Sequence, residues 1–339
     1  MDLLQAVRCR EQNEVNKKLT NRKDRGGFTL VEMLVVLLII VILAGLISAV
    51  TIRGLHRAKV AAIGMEINQL STALEKYKTE LGGEYPPDFS DVSSANGQAI
   101  ILSHIAKAFP HYTVTWINSL SYPLNWANLR TEILNNSNNL IDLNKMTPAT
   151  ALVFWLGGMP DSHGKPSGLS KNPADPFESP STTTSRIGQF FDFDPGRLQN
   201  NAYYGSGIIA GTGQPYIYLR AELGQTEPKR EYYKYDGTNY TFKSVSVSGA
   251  KPYWDQRNMG WVKPTSFQIL CCGLDGKFGK ENVYSTGNII KPITDSTLPT
   301  DVLTDLNNNI TNITANPGNF DHIDDQTNFT RGTIGDDLP

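Results

Sequence analysis

Cysteine is scarce in this chain: three residues in 339, at positions 9, 271 and 272. That excludes a disulfide-dense scaffold. Charge is sparse as well, at 19% of residues, and Lys+Arg (31) nearly balance Asp+Glu (33). No general basic excess exists to bind nucleic acid. The five histidines, His56, His104, His111, His163 and His322, fall into no metal-ligand spacing, and an HExxH pair is missing. Ser206 sits in Gly-Ser-Gly without the wider GxSxG context of a nucleophile elbow. The glycines at 205, 207, 211 and 213 suit turns and do not open a βαβ unit. No catalytic constellation is therefore visible, and the reading is that the chain is not an enzyme. Hydrophobic residues still make up 40%, so wholesale disorder is excluded and a sizeable core is affordable.

Long apolar runs are missing too, with one exception. From Met33 to Ile47 fifteen consecutive residues are apolar, and only Ser48 interrupts the run to Val50. As a helix, Phe28 to Val50 would cover roughly 33 Å, about one bilayer core. Ahead of it lie Arg8, Arg10, Lys17, Lys18, Arg22, Lys23 and Arg25, against Asp2, Glu11, Glu14 and Asp24. Residues 1–27 are thus net +3, leaving −5 for the rest of a chain whose total is −2. Arg53, Arg57 and Lys59 follow the run. The bias places the N-terminus in the cytoplasm and exports the long C-terminal part. Glu32 lies inside the apolar stretch, where a carboxylate costs a few kcal/mol unless it reaches the headgroups or finds a cation. It is read either as an interfacial charge or as a residue awaiting a positive partner. An ordinary secretory signal peptide is the rival, with small residues at Ala44-Gly45-Leu46 and Ser48-Ala49-Val50. The run, however, exceeds the usual apolar core of such peptides.

Arg25-Gly26-Gly27-Phe28-Thr29-Leu30-Val31-Glu32-Met33, followed by the apolar helix, resembles the class III signal of type IV pilins and type II secretion pseudopilins. The resemblance implies that a prepilin peptidase cuts between Gly27 and Phe28, and that Phe28 is then N-methylated. It implies that Glu32 neutralises the terminal amine of a neighbouring subunit during assembly. It also implies partners: other pilin or pseudopilin subunits, an inner-membrane assembly platform and membrane lipid, with no nucleic acid. The implied location is a bacterial inner membrane crossed once, with the head periplasmic, or extracellular after filament assembly. One departure stands out. Many members carry a proline near the outer end of the membrane helix, where this chain has Ala49.

Beyond Val50 the pattern turns amphipathic. Val60, Ile63, Ile67, Leu70, Leu74, Tyr77 and Leu81 recur at steps of three and four, an apolar seam on a helix. The seam suits either the chain's own globular part or neighbouring subunits. No proline occurs between residues 28 and 85, so one helix of roughly 80 Å can run from about 28 to 81. Gly82-Gly83 and Pro86-Pro87 end it. Residues 77–88 (YKTELGGEYPPD) also resemble the pseudopilin segment in which this helix stops at a Tyr-Pro loop.

The remainder reads as a head. Residues 100–109 predict a short helix ended by Pro110, and 147–156 another, with Thr147 as N-cap and Pro148 first. Residues 157–185 are Gly/Pro/Ser-rich and read as a surface connection. Arg230–Phe242 around Asp236-Gly237 predicts a hairpin, and Gln214–Arg220 and Ser266–Cys272 predict strands. The fold class expected is α+β: a long N-terminal α-helix, half membrane and half amphipathic, packed on a mainly antiparallel β-sheet head, pilin-like. The expected organisation is a leader at 1–27, a helix at 28–81 (transmembrane over 28–50) and a head with an acidic tail at 82–339.

Two further groups are weighed. Cys271 and Cys272 are adjacent on a strand, so alternation sends them to opposite faces, a poor joint metal site. They are read as two separate thiols in preference to a strained vicinal disulfide. In Leu274–Asn282, Asp275 and Glu281 offer hard oxygens of the kind Ca²⁺ takes, without EF-hand spacing. The stretch GLDGKFG resembles the C-terminal loop of major pseudopilins that holds structural calcium, and Asp324 and Asp325 could close such a site. The plain alternative is a hydrated turn and an acidic tail. A second functional class also stays open: a membrane-anchored, export-side binding protein or enzyme on a pilin-type anchor.

Overall fold

The computed structural model describes residues 28–112, 114–117, 120–122, 124–180, 185–210, 212–222, 232–235, 240–243, 250, 252–255, 260–278, 290–292 and 326–328, with the backbone alone for 46–53, 114–117, 120–122, 233–235, 240–242, 254–255, 260 and 290–292. The chain divides into two compact units, 1–56 and 57–339. The described part of the first is the start of one continuous helix, α1 (Leu30–Glu80). Its apolar residues from Leu30 to Leu43 are all exposed, by 45–82%. Among the described residues, no helix is long and apolar enough to cross a membrane. The apolar part of α1 with described side chains, 30–45, would cover about 24 Å, less than a bilayer core. The 23-residue span read from the sequence continues past it.

The second unit carries the core, and the second half of α1 lies at its centre. Ile63, Ile67, Leu70, Leu74 and Tyr77 are at most 1% exposed. Of the two destinations open for the apolar seam, the chain's own head takes these residues. The helix stops as glycine dictates. Gly82 and Gly83 take φ of 76° and 72°, and the Gly83 N–H donates to Lys78 O at 3.0 Å, closing a Schellman-type turn. A Cβ at Gly82 would also press on the Ala108 backbone at 3.1 Å.

Around this helix the class is α+β, with short antiparallel sheets. Helix α2 (Ala95–Ala108) begins earlier than the apolar run predicts, because Ser94 caps it by accepting from Gly97 N. Helix α3 (Trp126–Asn136), capped by Asn125, was not expected; its polar, Asn-rich sequence hides the helical period. Of the helix expected over 147–156, residues 148–150 form a turn that leads through 151–152 into a π-helical turn, Val153–Gly157. The segment 157–185 is irregular as expected, yet it is more than surface covering. Met159, Leu169 and Phe177 are buried from it, since the head has too few long elements to fill its core alone.

Strands are β1 (Val114–Ile117), β2 (Leu120–Tyr122), β3 (Leu198–Gln199), β4 (Ala202–Tyr203), β5 (Ile217–Arg220), β6 (Tyr233–Tyr235), β7 (Tyr240–Phe242), β8 (Tyr253–Asp255), β9 (Gly260–Trp261), β10 (Phe267–Cys271), β11 (Ile290–Pro292) and β12 (Gln326–Thr327). The described strands pair antiparallel, as expected of the head, but in several small sheets, among them β12-β10-β5 and β11-β8-β9. Every described strand is two to five residues long, too short to support a broad sheet. The hairpin signal does form a pair: Tyr233 faces Phe242 and Tyr235 faces Tyr240, while its Asp236-Gly237 turn lies outside the described residues. The expected strand at 214–220 begins only at Ile217.

Candidate functional site

Thr29 and Glu32 build the start of α1. The Thr29 N–H and the Thr29 hydroxyl both donate to Glu32 Oε2 at 2.8 Å. The Glu32 N–H returns a bond to Thr29 Oγ1 at 3.2 Å. This is a capping box, in which a Thr and a Glu three residues later satisfy each other's backbone donors. The Thr-x-x-Glu spacing was open to view, and charge reasoning alone passed over it. Phe28 stands just outside, 73% exposed; Gly27 lies outside the described residues. Among the described residues Glu32 Oε1 accepts no hydrogen bond, so the carboxylate keeps one oxygen for a further donor. It also sits in the first turn, where the helix dipole favours an anion.

Two ion-pair clusters lock the head, and sequence reasoning found neither. Glu66, on the buried face of α1, accepts from Arg197 Nη1 at 2.9 Å, Tyr203 Oη at 2.9 Å and Tyr216 Oη at 2.7 Å. The Arg197 guanidinium carbon sits over the Tyr203 ring, 4.5 Å from its centre. In the second cluster Lys243, 1% exposed, donates to Asp88 Oδ2 at 2.8 Å, Arg220 O at 2.7 Å and Glu222 Oε1 at 2.9 Å. Arg220 adds Glu222 Oε2 at 2.8 Å and Tyr85 O at 2.9 Å. Burial pushes the Glu222 carboxyl up, but Lys243 and Arg220 together hold it down to about 2. The cluster ties the loop after α1 to the sheet. Every donor of the ammonium is met, as a buried charge requires.

The other sequence-predicted groups are dispersed. Asp275 lies in the turn after β10 and its Oδ1 accepts from Lys277 N at 2.8 Å. Glu281, Asp324 and Asp325 lie outside the described residues. Gln326 pairs with Cys271, so the strand that follows Asp324-Asp325 in sequence joins the sheet four residues before Asp275. Among the described residues no three His, Cys, Asp or Glu side chains gather as metal ligands. Cys271 and Cys272 are both buried free thiols, and Cys272 Sγ reaches Gln214 O at 3.2 Å. His104 is buried between Tyr77 and Trp155, with its Nε2 3.0 Å from Tyr77 Oη. Burial first, then the charges of Arg220 and Lys107, bring it down to about 3, so it is a neutral core residue. A surface cleft of about 670 Å³ runs between the Leu140, Lys165 and Asn201 regions, and it gathers no catalytic set.

Residues 22–48 match the family model described as the prokaryotic N-terminal methylation motif. The chain thus carries a type IV pilin-like prepilin signal, and the motif supports a type IV pilin-like processed protein. It implies processing by prepilin peptidase and assembly with other pilin subunits, and it points to a structural protein. No curated protein and no solved structure matches the chain.

Proposed function

We propose that the chain is a pilin-like structural subunit of a type II secretion pseudopilus or a related type IV pilus-like filament. Cleavage between Gly27 and Phe28 creates an α-amine one residue before the capping box. Glu32 then serves twice. One oxygen holds the helix start through Thr29, and the other receives the amine of the incoming subunit. Pairing the two removes an unpaired charge from apolar surroundings, a penalty of several kcal/mol. The observation that carries this reading is the methylation motif at 22–48, set on a helix whose next residues are all apolar and exposed. Before assembly the run 28–50 anchors the subunit in the inner membrane with the N-terminus cytoplasmic, and the head lies on the export side. The assembly platform and the lipid are its other partners. Structural calcium is part of the same proposal, with Asp275, Glu281, Asp324 and Asp325 as its oxygen donors.

Mass spectrometry of the protein recovered from membranes tests the processing step. The expected N-terminus is N-methyl-Phe28. A chain that functions with residue 1 intact, or one that starts near Val50, overturns it.

A further inference from the structure

Two lysine–carboxylate contacts in the head have nearly equal length and opposite surroundings. Lys107 Nζ lies 2.7 Å from Glu84 Oε1, with the side chains 53% and 45% exposed. Lys243 Nζ lies 2.8 Å from Asp88 Oδ2, and both side chains are 2% exposed. Water hydrates the first pair. Burial has stripped the second of hydration, which penalises the charged state and favours an uncharged product. Both partners are also held in place. Pro86 O accepts from Tyr218 Oη and Pro87 O from Trp155 Nε1, each at 2.8 Å, which fixes the loop that carries Asp88. The Lys243 N–H donates to Tyr232 O at 2.9 Å, and its Nζ is steered by Arg220 O at 2.7 Å and Glu222 Oε1 at 2.9 Å. Each Asp88 oxygen accepts a backbone N–H, Oδ2 from Arg220 at 2.8 Å and Oδ1 from Ser90 at 3.0 Å. Such donors stabilise the negative charge that grows on a carboxyl oxygen when its carbon becomes tetrahedral.

We propose that Lys243 and Asp88 condense into an intramolecular isopeptide bond, with Glu222 as the proton carrier. The ion pair is the state that folding delivers, and the bond forms from it. One ammonium proton passes to Asp88 Oδ2, leaving an amine beside a neutral acid. The Nζ lone pair attacks Cγ and the C–N bond forms. A second proton moves from Nζ to Glu222 Oε1 and on to Oδ2, which departs with its bonding pair as water when the Cγ–Oδ2 bond breaks. The third proton stays on the amide nitrogen, and Oδ1 becomes the amide carbonyl. One ammonium and one carboxylate thus give one amide and one water, and no co-reactant is needed. Glu222 starts ionised, because Lys243 and Arg220 hold its carboxyl down to about 2, so it enters as the base. Arg220 Nη2 keeps its other oxygen in place at 2.8 Å. Holding amine and carboxyl in contact supplies an effective concentration that free partners lack. The bond joins positions 155 apart in sequence. It carries a pull along α1 from the loop that follows Glu80 straight to the residue after β7.

Peptide mapping tests this on the full chain, purified in detergent, then denatured and digested with trypsin. Residues 79–107 and 235–257 are expected as one joined species, lighter by one water than the two peptides together. This result is independent of the N-terminus, so it stands apart from the processing step. Lys243→Arg keeps a cation in the cluster but has no amine to acylate, and should give no joined species. In Glu222→Gln the rate at which the joined species appears during refolding should fall by about a hundred-fold or more. Separate peptides from the unsubstituted chain, with normal cleavage after Lys243, overturn the bond. That measurement needs no variant, so it decides even if both substitutions fold poorly. A joined species that forms equally fast in Glu222→Gln overturns the role of Glu222 as proton carrier.

Discussion

The two halves of α1 contain similar residues and treat them oppositely. From Met33 to Leu43 the helix is apolar on all sides, and its large side chains stay exposed. From Ile63 to Tyr77 apolar residues recur at every third or fourth place and are almost completely buried. A helix apolar all round has no face for water, so it needs a non-aqueous or protein surrounding. A helix apolar on one face needs only a core, and this chain supplies one. The difference separates apolar surface that the chain covers by itself from apolar surface that it leaves exposed. Glu32 and Glu66 mark the same division. Glu66 has its guanidinium and two phenols within the chain; among the described residues Glu32 has Thr29 and one oxygen to spare.

The sharpest way to break this comparison is to remove Glu32. In Glu32→Val, filaments should be lost almost completely while processing and head melting temperature are unchanged, read by shearing assays and thermal scans together. Normal filaments would take away its part in assembly, and a destabilised head would mean the first half of α1 is not independent of the core. The converse experiment is Lys243→Met. It leaves Asp88 and Glu222 buried without their cation, and breaking such a group costs about 3–5 kcal/mol. Denaturant titration of the full chain should show that loss, with the N-terminus still processed. A change below about 1 kcal/mol would mean that water reaches the cluster and compensates for the missing ammonium.

What could be read from the sequence follows the range of each interaction. The seam at Ile63, Ile67, Leu70, Leu74 and Tyr77 was legible because helical periodicity is local, and so was the stop at Gly82-Gly83. The Tyr233–Phe242 pairing was legible because a hairpin is local too. Lys243 and Asp88 are 155 positions apart, and Glu66 and Tyr216 are 150 apart. No pattern within a window can join them, and each alone passes for a surface charge. Helix α3 was missed for another reason: its stability rests on the Asn125 cap and on burying Leu129 and Ile133, two apolar contacts too few to show a period. At the candidate site the motif around Gly27, Phe28 and Glu32 was legible outright, whereas the capping geometry needed coordinates to show which atoms meet.

That geometry allows a smaller and more discriminating change. Thr29→Ala removes the hydroxyl that both gives to and takes from Glu32, but keeps the carboxylate and the residue 29 N–H that donates to it. Loss of a Thr cap costs about 0.5–2 kcal/mol, so opening of the first turn should increase by roughly two- to thirty-fold. Hydrogen exchange at residues 30–33 measures this. Filaments should still form, at reduced yield, because the charge that meets the incoming amine is intact. If Glu32 mattered chiefly as a cap, the two variants would fail alike, since each destroys the same box. A Thr29→Ala strain that assembles while Glu32→Val does not assigns the assembly role to the free carboxylate oxygen and the helix start to the other.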